Sequence, residues 1–191
     1  MKKHYHLPMT LTQYISEMLS TNEGLPFLTV TAEYSKKSVI TSIGQLERNI
    51  YFIQDGIIEI GMETDAGNKI VEFCFSNDFV SSYTSVLSQE PSDVYLYCLT
   101  DCIVEIIPYD KLRVAYETSL LANQFGRLAT EGLYMKRVRK EKDTLIKNAE
   151  QRYLELIKYR PEVIKEIPVH RIARYLGIHP ESLSRLRKSI S

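Results

Sequence analysis

The chain has 191 residues, 44% of them hydrophobic and 25% charged, and its 24 Lys/Arg balance 24 Asp/Glu to a net charge of zero. Those proportions belong to an ordinary globular protein with one large or two small cores, and they exclude a disordered chain. No apolar run approaches the roughly 18 residues of a membrane-spanning helix, and the opening MKKHYHLPMT lacks the apolar stretch of a secretory signal.

The first element in chain order is a helix over residues 10–20, TLTQYISEMLS. Thr10 and Gln13 form a capping box, and Leu11, Tyr14, Ile15 and Met18 make one apolar face. From about Lys36 to Ile107 the pattern changes to short β-runs separated by turns. IYFIQDGIIEIGMET holds two strands around Asp55-Gly56, and DAGN (65–68) is a hairpin signal leading into KIVEFCF. VYLYCLTDCIVEIIP supplies two more strands, ended by Pro108. Many short strands at this spacing predict a β-sandwich or jelly roll.

Tyr109 to Lys147 reads as helical, with a short helix through Tyr116 and a long one from about Ser119. Leu121, Phe125, Leu128, Gly132 and Met135 recur at steps of four and three, a heptad-like seam. A helix of ~28 residues runs about 42 Å, too long to bury its stripe on one small domain. A two-fold helix pair solves this, with Leu121, Phe125, Leu128 and Met135 as its interface. Asn148 to Gln151 offers a new N-cap for a helix through Tyr159, so the interval Thr144–Asn148 is a candidate hinge. Pro161 and Pro168 bracket a further short segment.

The last stretch, IPVHRIARYLGIHPESLSRLRKSIS, reads as a helix-turn-helix. Ile172, Ala173 and Leu176 are the apolar positions of the first helix, and Gly177 follows where φ > 0 is needed. His179 and Pro180 open the second helix, with proline in the first turn, where its missing N–H costs nothing. Leu183 and Leu186 point inward, while Glu181, Ser182, Arg185 and Lys188 point outward. Glu181 and Arg185 share one face at i and i+4, where they could read cytosine N4 and guanine O6/N7 in a major groove. Ser182, Arg187 and Lys188 are candidate phosphate contacts, and His179 and Arg171 complete the candidate DNA-binding set. His170 is a surface position of the same motif.

Charge is distributed to match. Residues 1–110 hold 6 Lys/Arg against 15 Asp/Glu (net −9), residues 111–150 hold 9 against 5 (net +4), and residues 151–191 hold 9 against 4 (net +5). An acidic front and a basic back suit a sensor joined to a nucleic-acid-binding unit. Three cysteines, Cys74, Cys98 and Cys102, cannot all pair, which favours a reducing cytoplasm and buried thiols. Cys98 and Cys102 lack further ligands at metal spacing, and the His4/His6 pair sits alone near the terminus, so no metal site is expected. No Ser-His-Asp, P-loop or paired-carboxylate arrangement is visible, so no catalytic residue is assigned and the chain is not expected to be an enzyme.

In the order jelly roll, long helix, helix-turn-helix, the chain resembles the Crp/Fnr family of bacterial transcription regulators over almost its whole length. The resemblance rests on IYFIQDGIIEI (50–60), NDFVSSYTSVL (77–87), the long helix and IARYLGIHPESLSRLRK. With the AEQRY run (149–153) and little after the second helix, it looks most like short members without a C-terminal wing, of the Bacteroidetes type. The resemblance implies an α+β architecture with three parts. These are a cyclic-nucleotide-binding-like sensor over 1–118, a dimerisation helix and hinge over 119–147, and a DNA-binding domain over 148–191.

Nucleotide-binding members carry Gly-Glu after a Phe-Ile/Val pair and Arg-Ser about ten residues later. Here Phe79-Val80 is followed by Ser81-Ser82, and the later pair is Ser92-Asp93. Ser81, Ser82, Tyr83, Ser92 and Asp93 are therefore the candidate pocket residues, with Tyr95 and Tyr97 nearby. The ribose-holding glutamate and the phosphate-neutralising arginine are both serines. Asp93 adds repulsion toward a phosphodiester, and no Gly-rich nest replaces the arginine. Tight cAMP binding is not expected, no cofactor is expected, and the effector is not named by these residues. Iron–sulfur members cluster cysteines near the N-terminus, and this chain has none before Cys74. The expected protein is a cytoplasmic homodimer that binds a two-fold symmetric site in double-stranded DNA, with no membrane partner and RNA polymerase as a candidate further partner. The alternative is a ligand-binding signalling module acting through protein–protein contacts, which would not require the Glu181/Arg185 pair.

Overall fold

The structure, a computed structural model, describes residues 8–65 and 67–190; His4 and His6 lie outside the described residues. Helix α1 (Leu11–Leu19) opens with the capping box of Thr10 and Gln13. Its first amide, Leu11 N, donates to the buried Glu105 carboxylate at 2.6 Å. An orphan helix N–H is thus satisfied by a strand far along the chain.

Eight strands follow: β1 (Val30–Tyr34), β2 (Val39–Thr41), β3 (Asn49–Asp55), β4 (Ile58–Met62), β5 (Lys69–Cys74), β6 (Phe79–Val80), β7 (Tyr95–Cys98) and β8 (Cys102–Pro108). They form two antiparallel four-stranded sheets, ordered β1-β8-β3-β6 and β2-β7-β4-β5. A short helix α2 (Tyr83–Ser88), which the strand reading of the sequence does not anticipate, lies between β6 and β7. The strands on either side of Asp55-Gly56 belong to different sheets, as do β7 and β8. The two crossings are tied together, Ile57 N donating to Thr100 Oγ1 at 2.9 Å and Leu99 N to the Ile57 carbonyl at 2.8 Å. Gly56 has φ +105°, and a Cβ there would stand 2.5 Å from the Asp101 carbonyl, so this corner admits only glycine. β4 and β5 pair as the hairpin expected across residues 65–68.

Between the sheets, Ile53, Ile58, Leu96, Cys98 and Val104 are fully buried. Alternation along β3 sends Tyr51 and Ile53 into this core and Phe52 to the opposite face. That outer face is covered by α1, α3 (Tyr109–Thr118) and the start of α4 (Leu120–Ile146).

This packing corrects one expectation for the seam on the long helix. Phe125 is only 3% exposed within its own chain, with its ring 5.6 Å from Phe79 and 6.2 Å from Phe27. It is a core residue and cannot also face a second helix. Leu121 and Leu128 are half-buried, while Gly132 and Met135 are exposed. A stripe at heptad spacing drifts around a straight helix, so its first turns meet the sheet and its later turns leave it.

The C-terminal unit is α5 (Ala149–Tyr159), α6 (Pro161–Glu166), α7 (Val169–Leu176) and α8 (Pro180–Ile190). Asn148 and Gln151 form a second capping box after the chain turns extended at Lys147. Tyr153, Leu156, Val163, Ile172, Ala173, Leu176 and Leu183 make its core, which continues onto Ile70 and Phe73 of the second sheet and onto Ile57 just before β4. The helices therefore dock directly on the outer face of that sheet. No helix among the described residues is long and apolar enough to cross a membrane.

Candidate nucleic-acid interface

Helices α7 and α8 realise the two-helix motif. α7 ends at Gly177, whose φ of +71° lets its N–H return to the Ala173 and Arg174 carbonyls, and Ile178 N also returns to Ala173. His179 begins α8. Its Nδ1 accepts from Glu181 N at 3.4 Å and its carbonyl from Leu183 N at 3.2 Å, so its side chain serves as a cap. Leu183 is buried and Leu186 half-buried, which turns Glu181, Ser182, Arg185, Arg187 and Lys188 to the exterior. Glu181 sits in the first turn and Arg187 and Lys188 in the last, as the helix dipole favours. Near one end of the helix an acceptor carboxylate and a guanidinium fork stand four residues apart on an open face.

Arg171 is the exception within the candidate set. It does not share this open face. Its guanidinium meets the Glu59 carboxylate at 2.5 Å and lies 5.0 Å from the centre of the Tyr97 ring. Glu59 is 1% exposed and also accepts from the Tyr95 hydroxyl at 3.0 Å. Burial, and then the Glu59 carboxylate, push that hydroxyl up to about 12, so it remains a donor. An arginine one turn into α7 is drawn to a dry carboxylate that would otherwise be unpaired.

A second buried carboxylate works the same way. Glu72 on β5 pairs with Arg160 at 2.7 Å and with Lys140 at 3.6 Å, and Lys136 lies 4.0 Å away. Burial pushes its carboxyl up, but Lys140, Lys136 and Arg160 together outweigh this and hold it below the usual value. Arg160 Nη2 also donates to the Phe73 carbonyl at 2.9 Å. The acidic front and basic back of the chain thus meet each other at the docking face. Glu59, Glu72 and Arg160 escape a linear reading. Glu59 and Glu72 are signalled only by a carboxylate inside a largely apolar strand, and Arg160 by nothing local.

The candidate pocket residues are partly brought together. The Ser82 and Ser92 hydroxyls, ten residues apart, lie 2.7 Å from each other and both residues are buried. Ser81 Oγ donates to the Asn49 carbonyl at 2.8 Å. Ser81 and Tyr83 line a cavity of about 290 Å³ against Tyr116, Phe125 and Leu128. Asp93 is exposed. Beside this group the buried Glu47 carboxylate accepts from Thr41 Oγ1, from the Arg48 and Asn49 amides at 2.8 and 2.9 Å, and from the Tyr51 hydroxyl at 3.2 Å. Its oxygens are committed within the fold. Cys74, Cys98 and Cys102 are free and buried. The described residues hold no cluster of three or more His, Cys, Asp or Glu that could bind a metal.

Residues 31–119 match the family of the cyclic nucleotide-binding domain. Among solved structures, FixK2 from Bradyrhizobium japonicum superposes with a TM-score of 0.69 at 15% identity, covering 85% of this chain and 84% of that one. A CooA variant from Carboxydothermus hydrogenoformans gives 0.68 at 11% identity, covering 92% and 83%. A crp/fnr-family putative transcriptional regulator from Eubacterium rectale ATCC 33656 gives 0.68 at 15% identity, covering 94% and 83%. No curated protein matches the chain in sequence.

Proposed function

We propose that this chain, a cyclic nucleotide-binding-type β-domain joined by a long helix to a helix-turn-helix in the Crp/Fnr fold, is a sequence-specific DNA-binding transcription regulator. It works as a homodimer, and its β-domain no longer takes a cyclic nucleotide. The observation that carries the reading is the exposed Glu181, Ser182, Arg185, Lys188 face of α8, supported from behind by buried Leu183. A helix lying in the major groove needs such a face, with base-reading groups in its first turns and cations beside the phosphates. Two half-sites about one helical turn apart then call for two copies, joined along the flank of α4 that carries Leu121, Leu128, Gly132 and Met135. Selection of random duplex DNA by the purified chain tests the class. An enriched motif with two-fold symmetry is expected, and no enrichment over the starting pool would overturn the reading.

Within that reading Glu181 and Arg185 contact base edges. Arg185→Ala is expected to cost about 1–3 kcal/mol on the selected site and to relax preference at one base pair per half-site. Lys188→Ala is expected to weaken all sequences alike and to reduce the salt slope by about one unit. Filter binding on selected and scrambled duplexes separates the two. Equal losses on both duplexes for Arg185→Ala would remove its base-reading role.

The β-domain reading rests on Ser82 and Ser92, which meet each other where a glutamate and an arginine would meet ribose and phosphate. Losing a charge-assisted arginine contact in a partly buried site weakens binding by about 2–5 kcal/mol. Calorimetric titration with cAMP and cGMP should give no dissociation constant tighter than roughly millimolar. A low-micromolar value for either ligand would sink this part of the proposal.

A further inference from the structure

The cleft between the long helix and the C-terminal helices shares Gly132 and Met135 with the proposed dimer flank, and its other lining residues serve none of the DNA-reading, dimer or cassette roles above. Its volume is about 580 Å³, with walls from β5, the second half of α4, α5 and the end of α7, a size that suits a small organic ligand. Six of its lining side chains are cationic and three are carboxylates. Glu72 serves Lys136, Lys140 and Arg160, and Lys147 stands 2.6 Å from both Asp143 and Glu155. Arg139 and Arg152 are left with no carboxylate in ion-pair range among the described residues. Arg139 is exposed. Arg152 Nη2 donates to the Leu176 carbonyl at 2.8 Å, but its Nε is buried with no partner.

A buried guanidinium donor without an acceptor is a standing cost that an incoming anion removes. Two forked cations on adjoining helices suit phosphate oxygens better than a lone lysine would. Tyr175 adds an aromatic group to the same walls, with the Lys140 ammonium 4.2 Å from the centre of its ring. An inorganic phosphate would fill only a fraction of the volume. We infer that this cleft binds a phosphorylated organic anion of nucleotide size, its phosphates on Arg139 and Arg152 and its organic part beside Tyr175. The site differs from the Ser82/Ser92 cassette, which lies inside the β-domain. Because Arg139 belongs to α4 and Arg152 to α5, the ligand bridges the helix break at Lys147 and restrains the C-terminal unit relative to the long helix.

The inference is independent of DNA binding and is tested on the full chain by calorimetry at fixed ionic strength. The probes are ATP and inorganic tripolyphosphate. Saturable binding of one ATP per chain is expected, with tripolyphosphate weaker and competitive. Arg139→Glu, a surface change, should weaken ATP at least tenfold, and Arg152→Lys should do the same while melting like the parent. Lys111→Ala, an exposed change on α3, should leave binding intact. Absence of saturable binding, or ATP binding unmoved by both arginine variants, overturns the site. Tripolyphosphate binding as tightly as ATP overturns the organic half of the assignment. Retained selection of duplex DNA by Arg139→Glu keeps a result here separate from failure of the regulator reading.

Discussion

Phe125→Ala is expected to lower folding stability by about 3–5 kcal/mol, the range for truncating a buried aromatic ring. The ring lies among Phe27, Phe79, Leu112 and Ala122, where α4 closes the outer face of the first sheet. Its removal leaves a void that the surrounding strands and helices cannot close. Urea unfolding at several protein concentrations checks this, because loss of a core contact does not depend on concentration. Leu128→Asp, half-buried on the neighbouring flank of α4, should behave differently. It should fold, but it should lose self-association and, with it, most DNA affinity, because a carboxylate would be buried unpaired in the helix pair. A stability loss for Phe125→Ala that scales with protein concentration would return this residue to the subunit interface.

Glu72→Ala should loosen the C-terminal helices from the β-domain. It leaves Arg160, Lys140 and Lys136 facing one another with no shared counter-charge, and breaking one partner of a buried pair costs about 3–5 kcal/mol. Hydrogen exchange should then quicken in α7 and along β5, and proteolysis should begin near Lys147. Unchanged exchange in these segments would show that the apolar contacts of Phe73 and Tyr175, 5.4 Å apart, suffice alone. The pH dependence has a definite sign. Glu72 is held below its ordinary value of 4.5, so its contribution is complete above that value. It is lost as pH falls through the depressed one. Docking should therefore hold at neutral pH and fail in acid, and Glu72→Gln should remove the acid-dependent component.

Arg171 shows why a DNA-facing residue cannot be identified from its position in a motif alone. It lies on α7 among residues that read as a DNA-binding helix pair, yet its partner, Glu59, is on β4. Likewise Arg160 and Glu72 are separated by 88 positions. Nothing within a few residues of either arginine announces such a pairing. The opposite charge of the two halves of the chain was visible, but whether it served another molecule or the chain itself was not.

What the sequence determined by itself is the set of features held by contacts within about four residues. The capping boxes at Thr10 and Asn148, the turn at Gly177, the hairpin between β4 and β5 and the outward face of α8 are all of this kind, because caps, turns and helical periodicity are local. Only the tertiary structure decided which sheet each strand joins, that Phe125 belongs to the core, that Arg171 answers to Glu59, and that the helix-turn-helix rests on the second sheet. Those outcomes depend on burial and on charges taken out of water together, and neither is set until distant segments have packed.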